Sequence, residues 1–288
     1  MNDIWHRIFN FTDYGALLGL VHNSLIAGAV LGLLGGLISV LVMMRDLPFA
    51  VHGVSELSFA GAAAALLAGT DVVGGSLIGS LLAALIIGAL GSRARDRNSI
   101  IGVLMPFGLG LGVLFLALYE GRAANKFGLL TGQIVAIDTP QLEWLIGTAI
   151  VVVAGLIVIW RPLTFASIDP ELAAARSVPV GLLSPIFMLL LGLTVAVAIQ
   201  IIGALLVLSV IVTPAASAMR VTSSPKLVTV LSMTFGIVSV LGGILLALGS
   251  SVPISPYVTT IAFLIYVACR LVVAVRPVTA RVRASSWV

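Results

Sequence analysis

His52 and Glu56 stand four residues apart in PFAVHGVSELSFAGAAAALLAG, residues 48–69. On a helix, positions i and i+4 share a face, and Ser55 lies on nearly the same side. Imidazole and carboxylate are both ligands for first-row divalent metals. The same two groups equally suit a histidine hydrogen-bonded to a carboxylate near a membrane edge, or a proton relay. Other chemistries lack their parts. There is no His-Glu-x-x-His run, no Gly-x-Ser-x-Gly elbow and no Walker A loop, since the only lysines, Lys126 and Lys226, follow Asn125 and Pro225. Any ATP hydrolysis coupled to this chain therefore belongs to another one.

Few other polar residues are candidates. Gln200, Thr194 and Thr213 could line a path, although such side chains commonly bond a neighbouring helix or their own backbone. Pro214 marks a bend or the end of a short segment. Asp138 and Glu143 fall at a span boundary and read as solvated. The single cysteine, Cys269, sits in an apolar run, which leaves no disulfide framework and no cysteine metal cluster.

The elements that hold these residues follow from composition. The chain is 60% hydrophobic and 9% charged over 288 residues, whereas soluble domains carry about 25% charged residues. It is a membrane protein of one domain, an all-α polytopic bundle. Since about 20 apolar residues cross the hydrocarbon core, spans are expected at 24–44, 50–67, 72–91, 100–118, 142–160, 182–201, 227–248 and 256–275. The stretch 203–219, GALLVLSVIVTPAASAM, is apolar but short and broken by Pro214, so the total is eight or nine. The N-terminal residues Asp3, His6, Arg7 and Asp13 precede the first long apolar run without the pattern of a cleaved signal peptide.

With nine crossings, twelve of the fifteen Lys and Arg residues fall on one side, and only Arg7, Arg122 and Lys126 fall opposite. That asymmetry puts the N-terminus outside and the C-terminus in the cytoplasm, and places His52 and Glu56 in the inner half of the second span. The basic residues form no stripe with interleaved aromatics, so no nucleic-acid partner is expected. Between 161 and 181 the sequence RPLTFASIDPELAAARSVPVG predicts a short cytoplasmic helix over 169–178, capped by Asp169 with Pro170 first, and stopped by Val178 and Pro179. The outer gap 119–141 reads as a partly buried external loop.

Three stretches resemble the membrane permease of the zinc/manganese family of ATP-binding-cassette importers: SLIAGAVLGLLGGLISVLVMMRDLPFAVHGVSELSFAG, IDPELAAARSVPVGLLS and IQIIGALLVLSVIVTPAASAMR. The resemblance implies a permease without enzymatic activity of its own in the plasma membrane, paired with a second copy, two cytoplasmic ATPases and an extracytoplasmic metal-binding protein. It implies no permanently bound cofactor, only a transported ion, with zinc first and manganese or iron also compatible. By the same resemblance Asp169, Pro170, Glu171, Ala175 and Val178 belong to the segment that docks on the ATPase. From their own polarity or position, Ser55, Gln200 and Pro214 are secondary candidates for the pathway or gate. The family's second span begins with Asp-x-x-x-His, attributed to metal passage. Aligned through Gly61, those two positions hold His52 and Glu56, with the ligand types kept and their order reversed. Related importers of metal chelates, and proton-coupled secondary transporters, are the alternative classes.

Overall fold

The computed structural model describes residues 15, 18–19, 21–90, 94–122, 128–130, 132, 137–248 and 253–275. Among them there are eight helices long and apolar enough to cross a membrane and no strand. The long helices are α1 (His22–Met44), α2 (Pro48–Ala68), α3 (Val72–Leu90), α4 (Ala94–Leu118) and α5 (Thr139–Ile168). Then come the short α6 (Pro170–Ala175), α7 (Val180–Ile202), a 3-10 turn (Ala204–Leu206), the short α8 (Val207–Ile211) and α9 (Thr213–Val221), α10 (Pro225–Leu248) and α11 (Ile254–Val275). The all-α polytopic expectation holds. The N-terminal residues 1–14, the basic C-terminal stretch after 275, and residues 123–127, 131 and 133–136 of the 119–141 loop lie outside the described residues.

Successive spans alternate direction. The ends of α1 and α5 and the starts of α2 and α7 meet on the face that carries α6, where Arg45 reaches Ser167 and Ser184. The ends of α2 and α7 meet at the opposite face, where Gln200 Nε2 donates to Val72 O at 3.2 Å. The stretch after α7 begins at that opposite face, since Ser255 Oγ at the start of α11 donates to Ile202 O. It ends where Pro225 shares a groove with Met44, on the α6 face. Residues 203–224 are therefore a ninth, broken crossing.

A broken helix in an apolar layer leaves backbone groups without partners, and these must be met by neighbours. Gly203 makes the first turn at φ 83, a left-handed conformation that side chains with a Cβ avoid. At the second break Ser39 of α1 serves both sides: its hydroxyl donates to Val212 O at 3.2 Å and accepts from Ala215 N at 3.1 Å. Pro214, with no N–H of its own, sits buried beside this contact.

Close helix packing comes from small residues. A Cβ on Gly61 of α2 would strike the Gly75 carbonyl of α3, so the two backbones touch there. Ser58 and Ser76 then bond across the same seam at 2.8 Å, and Ser76 continues to Ala196 O of α7. Likewise Ser232 Oγ of α10 donates to Gly36 O of α1 at 2.6 Å.

Several boundaries differ from the sequence reading, α4 beginning at Ala94 instead of 100, and two of the differences have a clear local cause. α5 runs eight residues past its expected end at 160, through Pro162. The proline removes one helical hydrogen bond, but Leu163 and Ala166 are buried beyond it and hold the last two turns in place. The helix expected over 169–178 is shorter, Pro170–Ala175. It closes early because Ser177 turns left-handed at φ 60 and Val178 N–H returns to Ala173 O at 3.0 Å.

Candidate functional site

α2 starts at Pro48, which fits the first helical turn because its missing N–H has no partner there anyway. Phe49, His52 and Glu56 follow at i, i+3 and i+7 on one face. Phe49 is exposed, the His52 side chain is 31% exposed, and the Glu56 side chain is 6% exposed. The face thus deepens from the helix start, and Glu56 lies about 12 Å along the axis from Pro48. On its flank α4 packs closely, with Gly108 against the backbone of Glu56 and Leu57, and Ile101 against Gly53.

His52 Nδ1 stands 3.6 Å from Glu56 Oε1. This is beyond hydrogen-bonding range, and among the described residues Nδ1 has no hydrogen-bond partner. Two ligands each about 2.1 Å from a tetrahedrally bound zinc stand about 3.4 Å apart. The pair is thus spaced to share one cation. Among the described residues no group of three His, Cys, Asp or Glu converges. Ser55 is buried and its hydroxyl donates to the His52 carbonyl at 2.8 Å.

A second polar constellation lies on the α6 face, where the sequence reading gave Arg45 only a topological role. Its Nη1 donates to Ser167 Oγ at 3.3 Å and its Nη2 to Ser184 Oγ at 3.0 Å. The guanidinium also lies 5.7 Å from the centre of the Phe187 ring. Ser167 precedes α6 and Ser184 follows it, so one side chain holds both flanks of that helix to the turn that leads into α2. Burial first, and then the neighbouring Arg97, lower Arg45 from its ordinary pKa; a guanidinium keeps its charge nonetheless. A cluster of one arginine with hydroxyls 122 and 139 positions away in sequence has no local signal that would have revealed it.

The α6 segment is formed as its sequence requires. Asp169 Oδ1 accepts from Leu172 N at 2.9 Å, Pro170 opens the helix, and Glu171 lies in its first turn, where a carboxylate suits the helix dipole. Ala173 is its buried residue, while Glu171, Leu172 and Ala175 are exposed and Val178 is half-buried. Gln200 and Pro214 lie away from the His52 and Glu56 pair. Gln200 bonds the start of α3 near the opposite face, and Pro214 belongs to the broken crossing. Thr194 donates to Leu190 O of its own helix at 2.9 Å, and Asp138 caps α5 through Gln141 N.

The sequence model of the ABC 3 transport family matches residues 18–273. The manganese transport system membrane protein MntC of Halalkalibacterium halodurans is 27% identical over 235 residues, 81% of this chain and 80% of that protein. The high-affinity zinc uptake system membrane protein ZnuB of Haemophilus influenzae is 24% identical over 229 residues, 79% of this chain and 88% of that one. A chain of the structure titled PsaBC from Streptococcus pneumoniae in complex with Fab has the same fold, with a TM-score of 0.79 at 24% identity. The match covers 90% of this chain and 95% of that one.

Proposed function

The chain belongs to the ABC 3 transport family, and from that premise we propose that it is the non-catalytic permease subunit of an ATP-driven divalent metal importer. The ion passes from an extracytoplasmic binding protein, between two copies of the permease, to the cytoplasm. The observation that carries this reading is the His52 and Glu56 pair, 3.6 Å apart on a partly open helix face. Two copies would offer two imidazoles and two carboxylates, a four-ligand set. Zinc is the first expectation because imidazole suits it, and manganese the second because carboxylates suit it. Relatives named for both metals agree with either.

Two copies also fit the distribution of covered surface. α4 and α11 are the barest spans, with 22% and 17% of their apolar windows buried, and α4 borders the pair directly. A partner seated there would enclose the ion's path. The ATPase docks on α6, whose face is the cytoplasmic one in this reading, and Arg45 passes its movement to the start of α2. His52 and Glu56 hold the ion briefly, because transport needs a site strong enough to enter and weak enough to leave.

The test is metal uptake by proteoliposomes that contain the permease and its ATPase. Zinc or manganese should stimulate ATP hydrolysis in the wild-type complex, and the metal that does so identifies the cargo. The double variant His52→Ala/Glu56→Ala should lose uptake while still co-purifying with the ATPase. Wild-type uptake rates in that variant would remove the pair from the path.

A further inference from the structure

On the flank formed by α1, α5 and α10, a groove of about 650 Å³ opens at the α6 face. Its walls are apolar, with Leu37, Leu156 and Val230 among them. Leu37 lies seven residues before Met44 at the helix end, so the groove runs about 10 Å into the apolar layer. Its mouth is different. Arg161 and Lys226 stand there beside Trp160, and no acidic residue lines any part of it.

Three features converge on one kind of occupant. Neither Arg161 nor Lys226 forms an ion pair among the described residues, and both are exposed. The Thr164 hydroxyl, in the wall next to them, is buried without a hydrogen-bond partner. The surrounding surface is apolar and bare, with Ile157 and Val158 more than 70% exposed, as suits contact with acyl chains. Trp beside Arg or Lys at the end of a span marks the headgroup level, and basic pockets between spans bind anionic headgroups.

The geometry points to a binding site for an anionic phospholipid of the leaflet on the α6 side. Its phosphodiester sits between Arg161 and Lys226, within reach of the Thr164 side, and one acyl chain fills the groove along Leu37, Leu156 and Val230. The site lies away from His52 and Glu56 and does not depend on which ion is carried. It holds α10 against α5 through a ligand where, among the described residues, no acidic side chain bridges the two cations.

The test uses the full chain, purified with its ATPase, and native mass spectrometry after exchange into phosphatidylglycerol or phosphatidylcholine. Wild type should retain phosphatidylglycerol in preference to phosphatidylcholine. Arg161→Ala/Lys226→Ala should bind it about thirtyfold more weakly, the scale of two basic side chains near an anionic surface. Val230→Trp, which fills the groove and keeps both cations, should also lose the lipid. Equal retention of the two lipids by wild type, or undiminished retention by either variant, overturns the site. Full displacement by inorganic phosphate would reduce it to a bare anion site. A crosslink across the groove to a second copy, in place of lipid, would likewise overturn the assignment.

Discussion

Arg45 and Ser184 are 139 positions apart in sequence and joined by a hydrogen bond of 3.0 Å. The same guanidinium reaches Ser167, so the turn before α2 is tied to both ends of the segment that holds α6. A movement of α6 cannot leave the start of α2 unmoved without breaking charge-assisted bonds, which contribute about 1.5 to 3 kcal/mol each. Arg45→Ala should therefore separate the two activities of the complex. ATP hydrolysis should continue at its basal rate while metal stimulation and uptake fall at least tenfold. Lysine at this position can supply a charge but not the planar fork that spans both hydroxyls, so Arg45→Lys should recover only part of the stimulation. Unchanged stimulation in Arg45→Ala would show that α6 reaches α2 by another route.

The order of His52 and Glu56 gives a second test of the proposed ion path. His52→Asp/Glu56→His restores the Asp-x-x-x-His order without changing the set of donor types. Uptake should remain within about tenfold of wild type, with a measurable change in the zinc to manganese ratio. Loss of uptake equal to that of the double alanine variant would mean that each position needs its own residue type, not merely one imidazole and one carboxylate.

Ser39 can be tested through stability. Ser39→Ala leaves Ala215 N–H in the apolar layer without its side-chain acceptor. Hydrogen bonds between spans contribute about 0.6 to 2 kcal/mol, so the melting temperature of the purified permease should drop by a few degrees. A matched change on the same helix, Ser24→Ala, whose side chain bonds no other span among the described residues, sets the baseline.

Asp169 caps α6, the segment proposed to dock on the ATPase. Asp169→Ala removes the acceptor for Leu172 N, a change that costs about 1 kcal/mol at helix starts. Affinity of the permease for its ATPase should weaken about threefold to tenfold, while Asp169→Ser, which keeps a capping oxygen, should stay near wild type. Equal loss in both variants would assign the aspartate a direct contact with the ATPase instead of a cap.

Much of the architecture was legible locally. Long apolar runs set the eight spans, because a helix is the cheapest way to satisfy a backbone in lipid. The Asp169 cap and Pro170 announced α6, although the left-handed turn at Ser177 that shortens it did not show in composition. The split of basic residues favoured a crossing by residues 203–219 without deciding between eight and nine, and the fold carries them from one face to the other. Tertiary structure alone decided which helix faces meet. In spans apolar all round, periodicity does not say which side packs where, and the answer comes from backbone contacts such as Gly61 on Gly75. It also decided the pairings of Arg45 with Ser167 and Ser184, of Ser39 with the break at Val212 and Ala215, and of Arg161 with Lys226 at one groove. The sequence by itself determined that His52 and Glu56 share a face; the 3.6 Å gap between them depends on rotamers set by the neighbours packed around α2.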